Sequence, residues 1–459
     1  MTYPQAIDYI NRAARFGDKP GLERVRALLG AFGDPHKKLR FVHVAGTNGK
    51  GSTCAMVESI LRAAGYKTGL FISPYLEDYR ERIQVGRRLI PREDIARLAG
   101  KAKDIIETLS LRAGGEQSDP LNHSGGYDAP RKFEIETAIA LQYFFEQQCD
   151  TVVLEVGLGG RLDATNVIEA PEVCVITSIS YDHTRILGDS IESIAREKCG
   201  ILKPGCDAVS CPAQNPSAQR VIEQTCAEIG CRLTVPEERA LYAENIGLHG
   251  SRFLYKGKRY GIGLIGSHQI QNALTAVETV TALRRRGFAI PSSAVTTGLL
   301  SAKWNGRLEI VRKAHRRAAP EQMTTGDLYN HDKRGPLCII DGAHNTDAVS
   351  VLCGVIDSLL CGKKLITVMA MSEDKRYDLC APMLAKRSAH FIATEFRDMH
   401  PLPAAVLAAA CRGTHREVIP DVGAAVKRAL ELAAPDDVVL ACGSLYMIGD
   451  AKRAMLKGL

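Results

Sequence analysis

The chain has 459 residues, 45% hydrophobic and 24% charged, with a formal net charge of +7 at pH 7. This length exceeds one ordinary core, and the balance excludes disordered and fibrous classes, so two globular domains are expected. No apolar run reaches the ~18 residues that cross a bilayer. The start, Met1–Asp8, has neither a basic nor an apolar leader region, so the expected location is cytoplasmic, without a membrane.

The positive excess is scattered. Arg284–Arg286 and the run Arg312-Lys313 with Arg316-Arg317 are its only clusters. Neither is interleaved with aromatic residues, which argues against a nucleic-acid groove and for solvated surface. A positive field also suits a polyanionic small substrate. The fourteen cysteines include no C-x-x-C pair and read as reduced thiols. Cys206, Cys211, Cys226 and Cys231 form two loose pairs, spaced too widely for a usual structural zinc knuckle. Cys226 falls in a helical stretch, where it can simply fill core space.

In chain order, strand and helix alternate, the pattern of parallel sheets flanked by helices. Leu39–Ala45 is a short apolar strand, followed by a glycine turn and a helix from about Ser52 to Ala64. Ser110–Arg131, rich in Gly, Ser, Asp and Pro, reads as a loop. Thr151–Val156 and Glu172–Ile179 are β-branched runs of strand length. The domain boundary falls near Ser301–Asn305. Lys313–Pro336 is polar and aperiodic, and reads as an excursion between two strands of the second sheet. Leu337–Ile340, Lys364–Met369 and Asp437–Leu440 read as strands, and Pro403–Ala410 and Val422–Ala433 as helices.

Three signals carry chemistry. The first is Gly46-Thr47-Asn48-Gly49-Lys50-Gly51-Ser52-Thr53, set between strand and helix. Glycines let successive backbone N–H groups converge on phosphate oxygens, and the helix N-terminus adds partial positive charge. Lys50 would neutralise the phosphates, and a hydroxyl of Ser52 or Thr53 could reach a metal. Gly51 separates the lysine from Ser52, so this is not a strict Walker A motif. The second is Glu155 at a strand's carboxyl end, where doubly wound sheets place ligands and a carboxylate can hold Mg²⁺. The Gly157-x-Gly159 piece that follows lacks the third glycine of a dinucleotide fingerprint, because position 162 is Leu162. The third is Tyr181-Asp182-His183 after the next strand. Three strand ends thus deliver Lys50/Ser52, Glu155 and His183 to one crevice.

With these motifs in place the sequence resembles the folylpolyglutamate synthase/dihydrofolate synthase family, within the Mur ligase superfamily of ATP-dependent amide ligases. The resemblance runs from about Phe16 to Gly449. It rests on His43–Ser52, Ser73-Pro74-Tyr75-Leu76 with Glu81-Arg82-Ile83, Glu155–Asn166 and Asp182-His183 with Leu187-Gly188. It continues through Glu197-Lys198-Cys199-Gly200-Ile201, His268-Gln269 with Asn272-Ala273, Trp304-Asn305-Gly306-Arg307 and Asp341-Gly342-Ala343-His344-Asn345. It implies an α/β fold: a P-loop-containing, doubly wound N-terminal domain over 1–302 carrying the folate site. A smaller Rossmann-like α/β domain over 303–459 would close the ATP and glutamate cleft.

Residue by residue, the resemblance implies that Gly49, Lys50, Gly51, Ser52 and Thr53 hold the ATP phosphates. Asn272, Arg307, Asp341 and His344 match further nucleotide contacts. Ser73, Glu155 and His183, with Ser52, match Mg²⁺ ligands. Lys198 matches a carbamylated lysine, which as a carbamate becomes an anionic ligand. Phe133, Leu162, Asp163 and Ala164 match the pterin-bearing substrate's site. Lys50, Glu155, His183 and Lys198 would carry the catalysis. The implied reaction joins L-glutamate to dihydropteroate, to reduced folates, or to both, through an acyl phosphate made from ATP. Mg²⁺ is the implied cofactor and ATP a co-substrate, with a monovalent cation left open and a monomer as the default. The alternatives are another amide ligase of the superfamily and a non-catalytic nucleotide-binding regulator. Tyr75, where the family commonly has His, departs from the pattern.

Overall fold

A computed structural model describes residues 1–14, 21–112, 128–311, 335–397 and 400–458. Its first sheet has eight strands: β1 (Phe41–Ala45), β2 (Thr68–Phe71), β3 (Ile83–Val85), β4 (Arg88–Leu89), β5 (Thr151–Glu155), β6 (Val173–Ile176), β7 (Asp207–Ser210) and β8 (Arg232–Thr234). The order is β4-β3-β2-β5-β1-β6-β7-β8. Six of these strands run parallel, and β3 and β4 form an antiparallel edge. Strands β1, β5 and β6 are buried along their whole length, which explains their unbroken apolar runs: helices cover both faces. After β1 the chain crosses to β2, then fills the gap with β5, then turns outward to β6. The carboxyl ends of β5, β1 and β6 therefore line the point where the winding reverses.

Helix Lys50–Ala63 leaves β1 directly through the glycine turn and is buried over most of its length. Helix Ser292–Ser301 lies close against it at Gly298, where a Cβ would strike the backbone of Ile60. Three further strands, β9 (Leu241–Gly247), β10 (Gly250–Tyr255) and β11 (Lys258–Ile262), form a small sheet in the order β11-β10-β9.

The last sheet comprises β12 (Glu309–Val311), β13 (Leu337–Asp341), β14 (Leu365–Met369), β15 (His390–Glu395), β16 (Arg416–Asp421) and β17 (Val438–Cys442), ordered β12-β13-β17-β14-β15-β16. Only its first strand is antiparallel, with Val311 opposite Cys338. The α/β class expected from sequence is thus the one observed. The chain forms two compact units. One comprises residues 1–245, 252–263 and 269–303, and the other 246–251, 264–268 and 304–459.

One expectation changes. Ser110–Arg112 belongs to helix Arg92–Arg112 rather than to a loop, because Ser110 continues that helix's buried stripe; residues 113–127 of the proposed loop lie outside the described residues. The excursion after Val311 does join two neighbouring strands of one sheet, though residues 312–334 also lie outside the description. Arg285 and Arg286 are ion-paired, to Asp207 at 2.7 Å and Glu172 at 2.9 Å, so that cluster is bound up in local structure. Among the described residues, no helix is long and apolar enough to cross a membrane.

Candidate active site

The turn after β1 is shaped by what its glycines avoid. Gly46 and Gly49 both have positive φ, 150° and 86°. A side chain at Gly46 would strike Thr177, and one at Gly49 would strike the Asn272 amide. The turn is pinned to the residues after β6: the Thr47 and Asn48 N–H groups donate to the Ser178 carbonyl at 2.7 and 3.2 Å, and Thr47 Oγ1 donates to the Ser180 carbonyl at 3.1 Å. Lys50 folds back over the turn, donating from Nζ to the Gly46 and Thr47 carbonyls at 3.1 and 3.3 Å. A dense set of N–H groups at a helix N-terminus with an ammonium beside it is an anion cradle.

Helix Ser267–Arg285 closes the other side. Asn272 lies against Gly49 and donates from Nδ2 to Gln269 Oε1 at 3.0 Å. Gln269 Nε2 in turn donates to Ser52 Oγ at 3.3 Å. Thr53 Oγ1 is buried with no hydrogen-bond partner among the described residues. Gln269, in the His268-Gln269 motif, is the residue that links this helix to the phosphate turn. Its signal was the one-turn spacing to Asn272, which puts both amides on one helix face.

Glu155 ends β5 opposite Val44 of β1 and is 3% exposed. Its Oε2 accepts the Ser73 N–H at 3.0 Å, which joins two residues far apart in sequence. Lys198, in the last turn of helix Ile191–Cys199, is 4% exposed and donates from Nζ to the Gly46 carbonyl at 2.8 Å. Burial, reinforced by the Lys50 charge, pushes its pKa down to about 7, and the Asp182 carboxylate opposes that shift. An amine with a pKa near 7 is about half neutral near pH 7, and the neutral form is the state that adds CO₂. His183 follows β6 with a left-handed backbone (φ 49°), and its Nε2 lies 3.9 Å from Asp182 Oδ1. Strand β1 stands between β5, which ends on Glu155, and β6, which precedes the segment holding His183.

The Gly157–Asn166 segment is stitched to the Lys198 helix. Arg161 N–H donates to the Glu197 carbonyl at 2.8 Å, and Asn166 Nδ2 donates to the Gly200 carbonyl at 3.0 Å. Gly160 packs on the backbone of Glu197 and Lys198. Asp163 is engaged by its own loop: Oδ2 accepts the Leu158 N–H at 2.9 Å, and Oδ1 accepts the Thr165 N–H and hydroxyl at 3.0 and 2.5 Å. It therefore braces the loop. The Phe133 ring abuts Gly157, while Leu162 is half-buried and Ala164 buried. Tyr75 packs its ring 5.7 Å from that of Tyr79, with the Arg82 guanidinium 5.3 Å from the Tyr75 ring.

The second unit carries its own polar cluster. Asp341 ends β13, is 7% exposed, and accepts the Leu308 and Ala343 N–H groups, each at 2.8 Å. Burial raises its pKa and the Arg307 charge opposes this. His344 Nδ1 lies 2.8 Å from the Gly342 carbonyl and so donates to it, leaving Nε2 as an acceptor in the neutral ring. Burial, with Arg307 nearby, pushes the neighbouring His268 down to about 4.

The residues fit a hard divalent cation. The donor types are oxygen-rich: Glu155 is a buried carboxylate that accepts the Ser73 N–H, and the Ser52 and Thr53 hydroxyls lie in the first turn of the helix after the phosphate loop.

Known proteins bear on these features. Residues 95–280 match the Mur ligase middle domain, and residues 328–445 match the Mur ligase glutamate ligase domain. The chain is 33% identical to the dihydrofolate synthase/folylpolyglutamate synthase of Bacillus subtilis, covering 99% of both. Among solved structures it is similar to the Mycobacterium tuberculosis folylpolyglutamate synthase complexed with ADP and AMPPCP, with a TM-score of 0.82, 27% identity, and coverage of 99% and 98%. It is also similar to E. coli FolC in complex with DHPP and ADP, with a TM-score of 0.80, 28% identity, and coverage of 99% and 98%.

Proposed function

The chain belongs to the dihydrofolate synthase/folylpolyglutamate synthase family, and from that premise we propose how its own residues divide the work. It is an ATP-dependent acid–amino-acid ligase of folate metabolism that adds L-glutamate through an acyl phosphate. Our reading makes it bifunctional, taking dihydropteroate as well as reduced folates as the carboxylate substrate, in the cytoplasm and as a monomer. The Bacillus subtilis relative, named for both activities together, supports the bifunctional part of this reading.

The observation that carries the reading is Lys198 donating to the first carbonyl of the phosphate turn while Gln269 and Asn272 close on the other side. A regulator that only bound nucleotide would need the cradle but not a buried lysine of depressed pKa beside it. In this reading Gly49–Thr53 and Asn272 seat the ATP phosphates, and Arg307, Asp341 and His344 are further nucleotide contacts. Ser52, Ser73, Glu155, His183 and the Lys198 carbamate would hold Mg²⁺, which screens the negative charge of the phosphates when bound.

The first step brings two anions together, the substrate carboxylate and the γ-phosphate. Lys50 offsets their repulsion, and the turn's N–H groups hold the phosphate in line. The carboxylate oxygen attacks phosphorus and ADP leaves. The glutamate amine then attacks the activated carbonyl, and collapse of the tetrahedral intermediate expels phosphate. Phe133, Leu162 and Ala164 line the pterin side, and Asp163 keeps that loop in place. The test is ATP-dependent phosphate release with L-glutamate and Mg²⁺, run in parallel with dihydropteroate and tetrahydrofolate, with product masses measured. Glutamate addition to both substrates supports bifunctionality, addition to one reduces the enzyme to that activity, and addition to neither overturns the ligase assignment.

A further inference from the structure

At the amino-terminal edge of the first sheet, opposite the edge that holds the phosphate turn, three thiols meet. Cys206 immediately precedes β7 and Cys231 immediately precedes β8, each directly after a glycine of left-handed backbone, Gly205 (φ 74°) and Gly230 (φ 73°). Asp207 pairs with Arg232 in the parallel register, so the two cysteines face each other one step earlier. Their sulfurs lie 3.4 Å apart, and Cys206 Sγ lies 3.7 Å from Cys174 Sγ on β6. Neighbouring strands run ~4.8 Å apart, inside the ~4.4–6.8 Å range of Cα separations that a disulfide spans.

The surroundings favour reaction over mere space-filling. Cys231 is half-buried, so the pair has a path to solvent, while Cys206 and Cys174 are buried behind it. The half-buried Lys203, in the turn leading into Cys206, interacts electrostatically with both Cys174 and Cys206. Cys231 Sγ donates to the Lys203 carbonyl at 3.0 Å and Cys174 Sγ to the Ile201 carbonyl at 3.1 Å. The thiol contact from Cys174 holds Cys206 down at about 6, while burial drives Cys174 well above its ordinary value and Cys231 to about 12. Cys206 is therefore the thiol of this cluster that ionises most readily, with a cation beside it. By contrast Cys54 and Cys442 are fully buried, with pKa values well above the ordinary one, and Cys361 is exposed.

We infer that Cys206 and Cys231 form a redox-modification site, a dithiol that hydrogen peroxide converts to an intrachain disulfide. The thiolate sulfur attacks one peroxide oxygen, the O–O bond breaks, and hydroxide leaves to be protonated to water. The sulfenic acid so formed is attacked by the second sulfur. The S–S bond forms as the S–O bond breaks, and a second water leaves. Two thiols thus give up two electrons and two protons, and one peroxide is reduced to two waters.

The test treats the folded full-length chain with stoichiometric hydrogen peroxide, then unfolds it in denaturant, alkylates the remaining thiols and measures intact and peptide masses. The expected result is twelve alkylated cysteines instead of the fourteen of the untreated chain, with the missing two recovered as one cross-linked Cys206–Cys231 peptide pair that dithiothreitol separates. Cys231→Ser, and separately Cys231→Ala, should abolish that cross-link. Because the first readout uses the unmutated chain, a misfolded variant does not blunt it. Fourteen alkylated thiols after treatment, or a bond joining other cysteines, would overturn the proposal.

Discussion

Acidification should destabilise the first unit through one buried ring. His43 lies in β1 with no exposed surface, and its Nε2 is 2.9 Å from Thr165 Oγ1. The Thr165 hydroxyl already donates to Asp163 Oδ1, so its oxygen must accept from His43, which places the imidazole proton on Nε2. A second proton would go to Nδ1, which is buried without a partner among the described residues. Burial, with the Lys203 charge as a minor addition, holds the pKa near 3, against an ordinary 6.5. Because the folded-state pKa is depressed, the unfolded chain binds the extra proton first. The His43 contribution is therefore complete above pH 6.5 and is lost as the pH falls towards 3. The full difference is about 5 kcal/mol as an upper limit, of which about 2.5 kcal/mol should be lost by about pH 4.5. His43→Gln keeps a donor for Thr165 and removes the titration. The single tryptophan, Trp304, belongs to the other unit, so the assay is amide hydrogen exchange of β1 peptides in both proteins across that pH range. Parallel pH dependences in the two would refute the argument.

Three other outcomes follow from the site. Lys50→Ala and Glu155→Ala should each lower kcat by at least about 10²-fold, measured by phosphate release at saturating substrates; near-wild-type turnover in either removes that residue from its role. Gly160→Ala would bring a Cβ to 2.7 and 2.8 Å from the Glu197 and Lys198 carbonyl oxygens, so it should cost about 1–3 kcal/mol in urea unfolding and reduce turnover as well. Activity should fall in CO₂-depleted buffer and return with bicarbonate in the wild type, and Lys198→Ala should be low and indifferent to both; equal activity of the wild type with and without CO₂ would dismiss the carbamate.

The phosphate turn was legible because strand, glycines, lysine and helix are contiguous, and local sequence dictates local geometry. Strand ends at Glu155 and Asp341 were legible for the same reason. What could not be read are pairings set by the fold alone. Gln269 reaches Ser52 across 217 positions of sequence, and no local pattern encodes that distance. The strands over 241–262 went unrecognised because their residues are largely half-exposed and mixed in polarity, as in Leu241-Tyr242-Ala243-Glu244. Residues 246–251 and 264–268 belong with the second unit although both neighbours in sequence belong with the first. Asp163 is placed at the substrate by the resemblance alone, and the hydrogen bonds by which it also braces its loop appear only once Leu158 and Thr165 fold around it.

The antiparallel pair β12–β13 makes the second sheet unusually forgiving at one place. Val311 and Cys338 are direct neighbours across the ladder, so whatever sequence joins them starts and finishes at nearly the same point in space. Closing a longer connection between fixed ends costs only about 0.6 kcal/mol for each doubling of its length. A reporter domain whose own termini lie close together could therefore be spliced between those two strands, giving a tagged enzyme with both chain ends left as they are.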